Sequence, residues 1–336
     1  MGNPLKVWTN GRFMPGHKSP AMKKTSMKRS RSSAKKVTPA TRYLRYEVAN
    51  SANAGTETSH YIDLAKDLSR VNRRLYRQGR DYHVKKITIV SSNTPNLDNR
   101  ISFSTIGAGW VSQMAWKRGF RVWQEMNKTA TENLSGDISG TWADFKVFMT
   151  NDMRSGTVLQ PIDNGNNLYN AGAWDYSEMV SPDGTTGSDP FQLHMLGAHS
   201  GSAGAWNSVS LVKSFGESRA TVQLTDPSVP SDASDDPLVN VFDYGTTVDE
   251  VVNNVEGFND SPPYGLANYP GDDGNAPKPI VIQDTTLVDG RSNVGGFTAR
   301  CGLIEIESKS SLPGDVFSVL IELSAGSYRG LKAETI

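Results

Sequence analysis

Residues 1–46 carry the side chains whose chemistry stands out most in this sequence. They contain twelve Lys and Arg residues and no Asp or Glu, and the first acidic residue is Glu47. Clustered cations of this kind bind polyanions by displacing counterions, with little dependence on sequence. The nucleic-acid-binding residues predicted here are Lys18, Lys23, Lys24, Lys28, Arg29, Arg31, Lys35, Lys36, Arg42 and Arg45. A nuclear localisation signal or a merely solvated tail would use the same residues.

The centre of this basic stretch cannot bury an apolar face. Between Lys23 and Lys36 its only apolar residues are Met27 and Ala34, so folding would cost backbone entropy with little burial to offset it. We therefore predict a disordered arm over residues 1–40. The whole chain has 35 basic and 35 acidic residues and is formally neutral. Because residues 1–46 carry a net charge of +12, the body, residues 47–336, carries a net charge of −12.

A second basic segment runs from Arg70 to Lys86, with Asp81 as its single acid. Two interpretations are equally open. The segment could line an inner surface beside the arm and touch nucleic acid, or it could be a solvated loop whose arginines bridge neighbouring subunits. On the first interpretation Arg73, Arg74 and Arg77 join the predicted nucleic-acid-binding residues.

Residue patterns typical of catalysis are weak in this chain. Ser200 follows His199, but adjacent side chains point apart and no G-x-S-x-G surrounds them. Neither a P-loop nor G-x-G-x-x-G occurs, which gives no support to nucleotide hydrolysis or dinucleotide binding. Asp163 and Asn167 could hold calcium, although a turn is the better interpretation. We predict no enzyme activity, no catalytic residue, no metal site and no cofactor.

The body shows the pattern of an antiparallel β-sandwich or barrel. Short β-branched and aromatic runs alternate with turns rich in Gly, Pro, Ser, Asn and Asp. The predicted strands are Thr41–Val48, His60–Leu68, Tyr82–Ser91, Ile101–Ile106, Trp142–Thr150, Phe191–Leu196, Ser208–Phe215, Ala220–Leu224, Ile280–Val288, Phe297–Glu307 and Val316–Ser324. No stretch approaches the length of a membrane span, so we expect no membrane partner.

One helix and two long loops interrupt the predicted strands. Val111 to Asn127 places apolar residues at helical spacing, with Lys117, Arg118 and Arg121 largely off that stripe. We expect this helix to pack on the outside of the sandwich or at a subunit contact. Residues 151–190 and 225–279 are rich in Gly, Asn, Asp, Pro and Ser and are predicted to be surface loops.

Two runs of the body resemble a known family. The run Val71-Asn-Arg-Arg-Leu-Tyr-Arg-Gln-Gly79, followed by a strand and by Trp116-Lys-Arg-Gly-Phe-Arg-Val-Trp123, is similar to capsid proteins of small circular Rep-encoding single-stranded DNA (CRESS-DNA) viruses. The likeness covers roughly residues 40–150. It implies a single jelly roll over residues 41–336, self-assembly into an icosahedral shell, and a basic arm turned inward on the genome. It also implies that the protein is part of the virion and assembles in the host nucleus. A capsid of this kind binds a host receptor, which the sequence does not identify.

Other function classes remain open at this point. A capsid protein of a small RNA virus obeys the same physics, and so does a non-viral, β-rich nucleic-acid-binding protein with a basic tail. A recognition domain of that second kind should show aromatic and basic strand motifs, which are lacking here. A jelly-roll lectin or glycosidase needs paired carboxylates in a cleft. Glu305 and Glu307 share a predicted strand face, where exposed carboxylates are ordinary surface.

Overall fold

The computed structural model describes residues 39–91, 99–132, 143–170, 172–181, 189–202, 205–218 and 279–336. These residues are mostly β, as predicted. The strands are β1 (Tyr43–Ala49), β2 (Thr58–Asp63), β3 (Arg80–Ser91), β4 (Arg100–Thr105), β5 (Phe148–Thr150), β6 (Thr157–Val158), β7 (Glu178–Ser181), β8 (Asp189–Leu196), β9 (Ser200–Ser202), β10 (Ala205–Ser210), β11 (Ile280–Thr286), β12 (Arg291–Val294), β13 (Phe297–Arg300), β14 (Leu303–Lys309), β15 (Val316–Leu323), β16 (Ala325–Gly326), β17 (Gly330–Leu331) and β18 (Ala333–Thr335). The helices are α1 (Leu64–Asn72), α2 (Trp110–Glu132), α3 (Asn151–Ser155) and α4 (Leu211–Glu217).

Two large sheets hold most of these strands. The first has the order β1-β15-β3-β12, with β13 and β18 also paired to β3, and every pairing in it is antiparallel. The second has the order β11-β4-β14-β2-β6 and is antiparallel except for the short pair β2 and β6. Consecutive strands therefore often lie in different sheets.

The main core lies between these two sheets. Along β15 the side chains alternate, so that Phe317, Val319 and Ile321 are fully buried while Val316 and Leu320 are exposed. Residues of the second sheet, including Phe103 and Ile304, belong to the same buried cluster. Period-2 alternation puts one face of each strand inside, which is why the sequence pattern predicts these strands well.

A third, mixed sheet and two helices form a second core. The sheet has the order β5-β8-β10-β9, with β7 on β8; β5 and β10 run parallel to β8. The helix α2 contacts α4 and β8. Trp116, Phe120 and Trp123 of α2 all pack around Phe145, with ring centroids 5.6–5.8 Å from its ring. This part of the chain falls between β4 and β11 in sequence, so it is an insertion between strands of the second sheet.

The prediction of a single helix is wrong, since three shorter helices directly follow strands. Their N-caps are Asp63, Thr150 and Ser210, whose side chains accept hydrogen bonds from the N–H groups three residues later. An oxygen-bearing side chain at this position satisfies a free N–H of the first turn and starts a helix. The predicted strands His60–Leu68 and Ser208–Phe215 accordingly end at Asp63 and Ser210.

The predicted strand Trp142–Thr150 is regular only from Phe148. Upstream, side chains replace a neighbouring strand as backbone partners. The Ser177 hydroxyl accepts from the Lys146 N–H at 3.0 Å, and the Gln78 amide oxygen accepts from the Val147 N–H at 2.6 Å. Backbone groups can be satisfied this way without a ladder.

The predicted strand Phe297–Glu307 is two strands in different sheets. Cys301 and Gly302 have φ values of 58° and 70°, so the chain turns sharply between β13 in the first sheet and β14 in the second. A Cβ at Gly302 would lie 3.0 Å from the Tyr82 ring and 3.2 Å from the Leu64 Cβ. Gly is therefore required there for space as well as for conformation.

The remaining expectations have mixed outcomes. The helix predicted over 111–127 is confirmed as α2 and extends further, from Trp110 to Glu132. Within the expected loop 151–190 lie α3, β6, β7 and the start of β8. The predicted arm up to residue 38, the strand Ala220–Leu224 and nearly all of the loop 225–279 fall outside the described residues. None of the described helices combines the length and apolar character that crossing a membrane requires.

Candidate nucleic-acid interface

Eight of the predicted nucleic-acid-binding residues lie outside the described part of the chain: Lys18, Lys23, Lys24, Lys28, Arg29, Arg31, Lys35 and Lys36. Arg42 directly precedes β1 and is half-buried. Arg45 lies within β1, where its Nη2 is 3.3 Å from Oε1 of Glu47. The arm therefore joins the body at the edge of the first sheet, because β1 is the outermost strand there.

Arg73, Arg74 and Arg77 all follow α1, but the structure brings together only the first two. Arg73 and Arg74 are exposed, line one cleft and form no ion pair with any described residue. Arg77 lines a different cleft, between Trp116 and Ile336, and its Nη1 is 3.4 Å from Asp144 Oδ1. Arg77 is thus partly neutralised by an acid of the body, whereas Arg73 and Arg74 are not.

The cleft beside the C-terminal end of α1, called the α1 cleft below, has a volume of about 830 Å³. Three segments form it: α1 with the turn after it, the residue Lys146, and residues 163–174. Its basic lining residues are Lys66, Arg70, Arg73, Arg74 and Lys146. Among the described residues Asp163 is the only acid in the lining, and its carboxylate accepts hydrogen bonds from the N–H groups of Gly165 and Asn167.

Buried acids lie beneath the α1 cleft. Oδ2 of Asp63 accepts hydrogen bonds from Gln78 Nε2, Trp174 Nε1 and the Tyr176 hydroxyl, at 3.1–3.3 Å. Burial raises the pKa of the Asp63 carboxyl. These contacts tie β2, the α1 start and residues 174–176 into one network, which fixes the wall of the cleft.

Asp67, on the buried face of α1, is the nearest acid to Arg70. Burial raises the pKa of Asp67 to about 8, and its Oδ2 accepts a hydrogen bond from the Tyr46 hydroxyl at 2.7 Å. Its Oδ1 is 3.8 Å from Arg70 Nη1, beyond hydrogen-bond distance. Because burial favours the neutral form of Asp67, this carboxyl balances the cations above it less than an exposed carboxylate would.

The residues considered for catalysis do not assemble into a site. His199 uses both ring nitrogens, since Nδ1 accepts from the Ser210 N–H at 2.9 Å and Nε2 lies 3.1 Å from Glu217 Oε2. Neither nitrogen is left for Ser200. The hydrogen bonds to Asp163 form a turn. Within the described residues no group of three His, Cys, Asp or Glu side chains could hold a metal ion.

Glu305 departs from the expectation of an ordinary exposed carboxylate. It is buried on β14, and burial raises its pKa to about 7; the nearby Tyr61 hydroxyl partly opposes this by hydrogen bonding to the charged form. The charges of Glu307 and Asp152 raise it further. Glu305 is therefore a buried carboxyl with a raised pKa and not an ordinary exposed surface acid.

The sequence alone missed Lys66 and Lys146 as neighbours of Arg73 and Arg74, whereas Arg70 already belongs to the basic segment Arg70–Lys86. Lys66 and Arg70 are four residues apart, which on a helix places them on one face. That signal was hidden because residues 60–68 were interpreted as a strand. Lys146 comes from a distant part of the chain, and no spacing pattern indicates it.

No protein-family model matches the chain, and no curated protein or solved structure is detectably similar to it.

Proposed function

We propose that this chain is a viral capsid protein that self-assembles into an icosahedral shell and packages a single-stranded DNA genome through its basic N-terminal arm. The body is proposed to be a single jelly roll, and the protein to belong to the virion after assembly in the host nucleus. The arm, as residues 1–40, holds the genome, and residues 41–336 build the shell. No catalytic role, cofactor or membrane partner is included in this proposal.

The order of strands in the two large sheets carries the proposal. Eight strands can be counted along the chain: β1, β2, β3, β4, β11, the β12–β13 pair, β14 and β15. The first then pairs with the eighth, the second with the seventh, the third with the sixth and the fourth with the fifth. This pairing is the one expected of an antiparallel ribbon wrapped into a jelly roll, an architecture frequent in capsids, and it supports the proposal.

The distribution of charge supports the same function. The arm supplies twelve cations and the rest of the chain a net charge of −12. In the smallest icosahedral shell, roughly 60 copies would bring about 720 positive charges to the interior, enough to neutralise much of a genome of a few thousand nucleotides. An acidic body would keep assembled particles apart in solution.

Particle size tests this function. With a subunit mass of 36.6 kDa, a shell of roughly 60 copies has a mass of about 2 MDa. We expect the purified full-length protein to elute at megadalton mass and to show uniform round particles in negative-stain micrographs. A monomer or small oligomer under all assembly conditions contradicts the proposal and favours a non-viral nucleic-acid-binding protein.

Nuclease digestion separates the DNA genome from the alternative of an RNA genome. Nucleic acid extracted from particles made in infected or replicating cells should be degraded by DNase and resist RNase. The reverse result would keep the shell and the jelly roll but assign the protein to an RNA virus.

A further inference from the structure

The α1 cleft concentrates positive charge that the described acids, Asp163 in its lining and the buried Asp67 beneath it, neutralise only in part. Five cationic side chains line it, and they come from α1, the turn after it and the segment before β5. Lys66, Arg73 and Arg74 form no ion pair with any described residue, and Lys146 Nζ donates only to the Asp175 carbonyl, at 3.2 Å. Like charges that converge without counter-charges repel one another, unless an anion occupies the space between them.

Among these cations, Arg70 gives the strongest indication that the cleft binds an anion. Its side chain is only 8% exposed, yet it lines the cleft, and its buried Nε and Nη1 atoms have no hydrogen-bond partner. Its nearest acid, Asp67, is 3.8 Å away, so these buried donors have lost water without gaining a hydrogen bond, which is costly. A rotation of the Arg70 side chain, which lines the cleft, would bring these buried donors to an oxyanion there, and Arg presents its donors in a planar fork suited to phosphate.

Arg73 adds an independent observation. It caps the C-terminal end of α1 in the left-handed conformation, with φ of 52°. Gly or Asn is the usual residue at such a position, since a longer side chain is strained there. Stability alone favours Gly, so the strained arginine indicates a use for its charge at the mouth of the cleft.

We propose that the α1 cleft binds a phosphate group of single-stranded nucleic acid, held by Arg70, Arg73 and Arg74 with Lys66 and Lys146 beside them. The site lies in the body and is distinct from the basic arm. Leu168, which is 58% exposed, and the half-buried Tyr169 line the same cleft and offer an apolar surface for the adjoining base. This inference rests on the proposed function, because it assumes that the cleft faces the packaged strand.

The direct test is titration of the full-length protein with pentathymidylate and with thymidine 5′-monophosphate, followed by calorimetry. In the variant Arg73→Gln/Arg74→Gln we expect the affinity for the pentamer to fall about tenfold, through the loss of charge-assisted hydrogen bonds. The control variant Lys117→Gln/Arg121→Gln removes the same charge from exposed positions on α2 and should stay within about twofold of the wild type.

The two ligands distinguish a strand phosphate from a free nucleotide. A strand site binds the pentamer more tightly than the monophosphate, because flanking phosphates and bases add contacts. If the cleft variant and the control variant lose the same affinity for the pentamer, the protein's general positive charge accounts for binding. That result would overturn the proposed site. A cleft that binds the monophosphate but excludes the pentamer would also overturn it.

Arg73→Gly provides a second variant whose outcome does not depend on damage to the fold. It relieves the left-handed strain, so the unfolding midpoint should rise by about 2 °C while affinity for the pentamer falls. A purely structural role for Arg73 predicts a lower midpoint, or unchanged binding.

Particle assays separate failure of the cleft from failure of the proposed function. If wild-type particles form and package nucleic acid while the cleft variants bind and package as the wild type does, the cleft is not the site and the capsid proposal stands. If the wild type forms no particles but the cleft variant still loses the pentamer, the capsid proposal fails and the phosphate site stands.

Discussion

Buried acids, more than surface charges, set how individual residues of this protein respond to pH. Asp67 and Glu305 are buried in the interior, and burial raises the pKa values of both, to about 8 and about 7, although Arg70 Nη1, 3.8 Å from Asp67 Oδ1, partly opposes the rise for Asp67. A carboxyl with a raised pKa binds its proton more tightly in the folded than in the unfolded state. Its stabilising contribution is therefore present at low pH and is lost as the pH rises towards the folded pKa.

Glu305 gives a prediction on this basis. The contribution of its protonated form should be lost between about pH 4.5 and about pH 7, the interval between its ordinary and its raised pKa. Glu305→Gln keeps the shape but cannot ionise, so its unfolding midpoint should fall less over that interval than that of the wild type. Thermal unfolding at half-unit pH steps measures the difference between the two curves.

The matched control for this experiment is Glu178→Gln, at an exposed position on β7. It should follow the wild-type curve. Parallel curves for Glu305→Gln and the wild type would show that the pKa of Glu305 is the same in the folded and the unfolded state, contrary to the effect of its burial.

At the residue scale, the arm could be identified from composition, but the α1 cleft could not. Twelve cations without an acid are visible in the sequence because they are contiguous. The five cations of the cleft are spread from Lys66 to Lys146, and the intervening sequence contains acids such as Asp81 and Glu125 that point elsewhere. Only the tertiary fold decides which charges meet.

At the element scale, the structure depends on a few residues that convert strands into helices. Asp63 is the strongest case, since it ends β2, caps α1 and accepts hydrogen bonds from three further side chains. The Asp63 carboxylate thus links β2 and α1 to Trp174 in the wall of the α1 cleft.

Asp63→Ala should therefore destabilise the body by about 3 kcal/mol or more, because it removes a cap and leaves the buried Gln78, Trp174 and Tyr176 donors without this acceptor. Denaturant unfolding of the variant measures the loss. Ser210→Ala is the control, because it removes the cap of α4 but leaves fewer buried donors without an acceptor. It should lower the free energy of unfolding by about 1 kcal/mol. Similar losses in the two variants would show that the Asp63 network contributes no more than a cap.

Strands with clean alternation could be predicted, and elements decided by single polar side chains could not. The predicted strands that became β1, β3, β4 and β15 agree with the structure to within two residues at each end. In α1 the apolar residues Leu64 and Leu68 stand at helical spacing, and in α4 so do Leu211 and Phe215. Each run is short and follows directly on a strand, so the N-cap Asp63 or Ser210 is needed to locate the change. Between residues 143 and 147, Gln78 and Ser177 act as backbone partners, which no local pattern can reveal.

At the scale of the whole molecule, separation of charge between the arm and the body is the feature that the proposed function uses. Deleting residues 1–36 removes ten of the twelve arm cations and leaves Arg42 and Arg45. Packaging of nucleic acid should collapse, while the body keeps its fold because its two cores lie within the described residues after 42. Nuclease-protected nucleic acid per particle measures packaging, and circular dichroism checks the fold.

Salt dependence provides the control for that deletion. If about six arm charges meet phosphates of a single strand, the logarithm of affinity should fall with the logarithm of salt concentration at a slope near −4, and exchanging Arg for Lys within the arm should change little. Full packaging by the truncated protein, or an affinity insensitive to salt, would contradict a role for the arm.

The most direct measurement of the central claim is a reconstruction of the assembled particle by electron cryo-microscopy. The account predicts a closed icosahedral shell in which each subunit contributes the two large sheets and Arg42, where the arm joins β1, faces the interior beside the nucleic acid. The absence of any closed particle, or a shell with Arg42 on its outer surface, would contradict it.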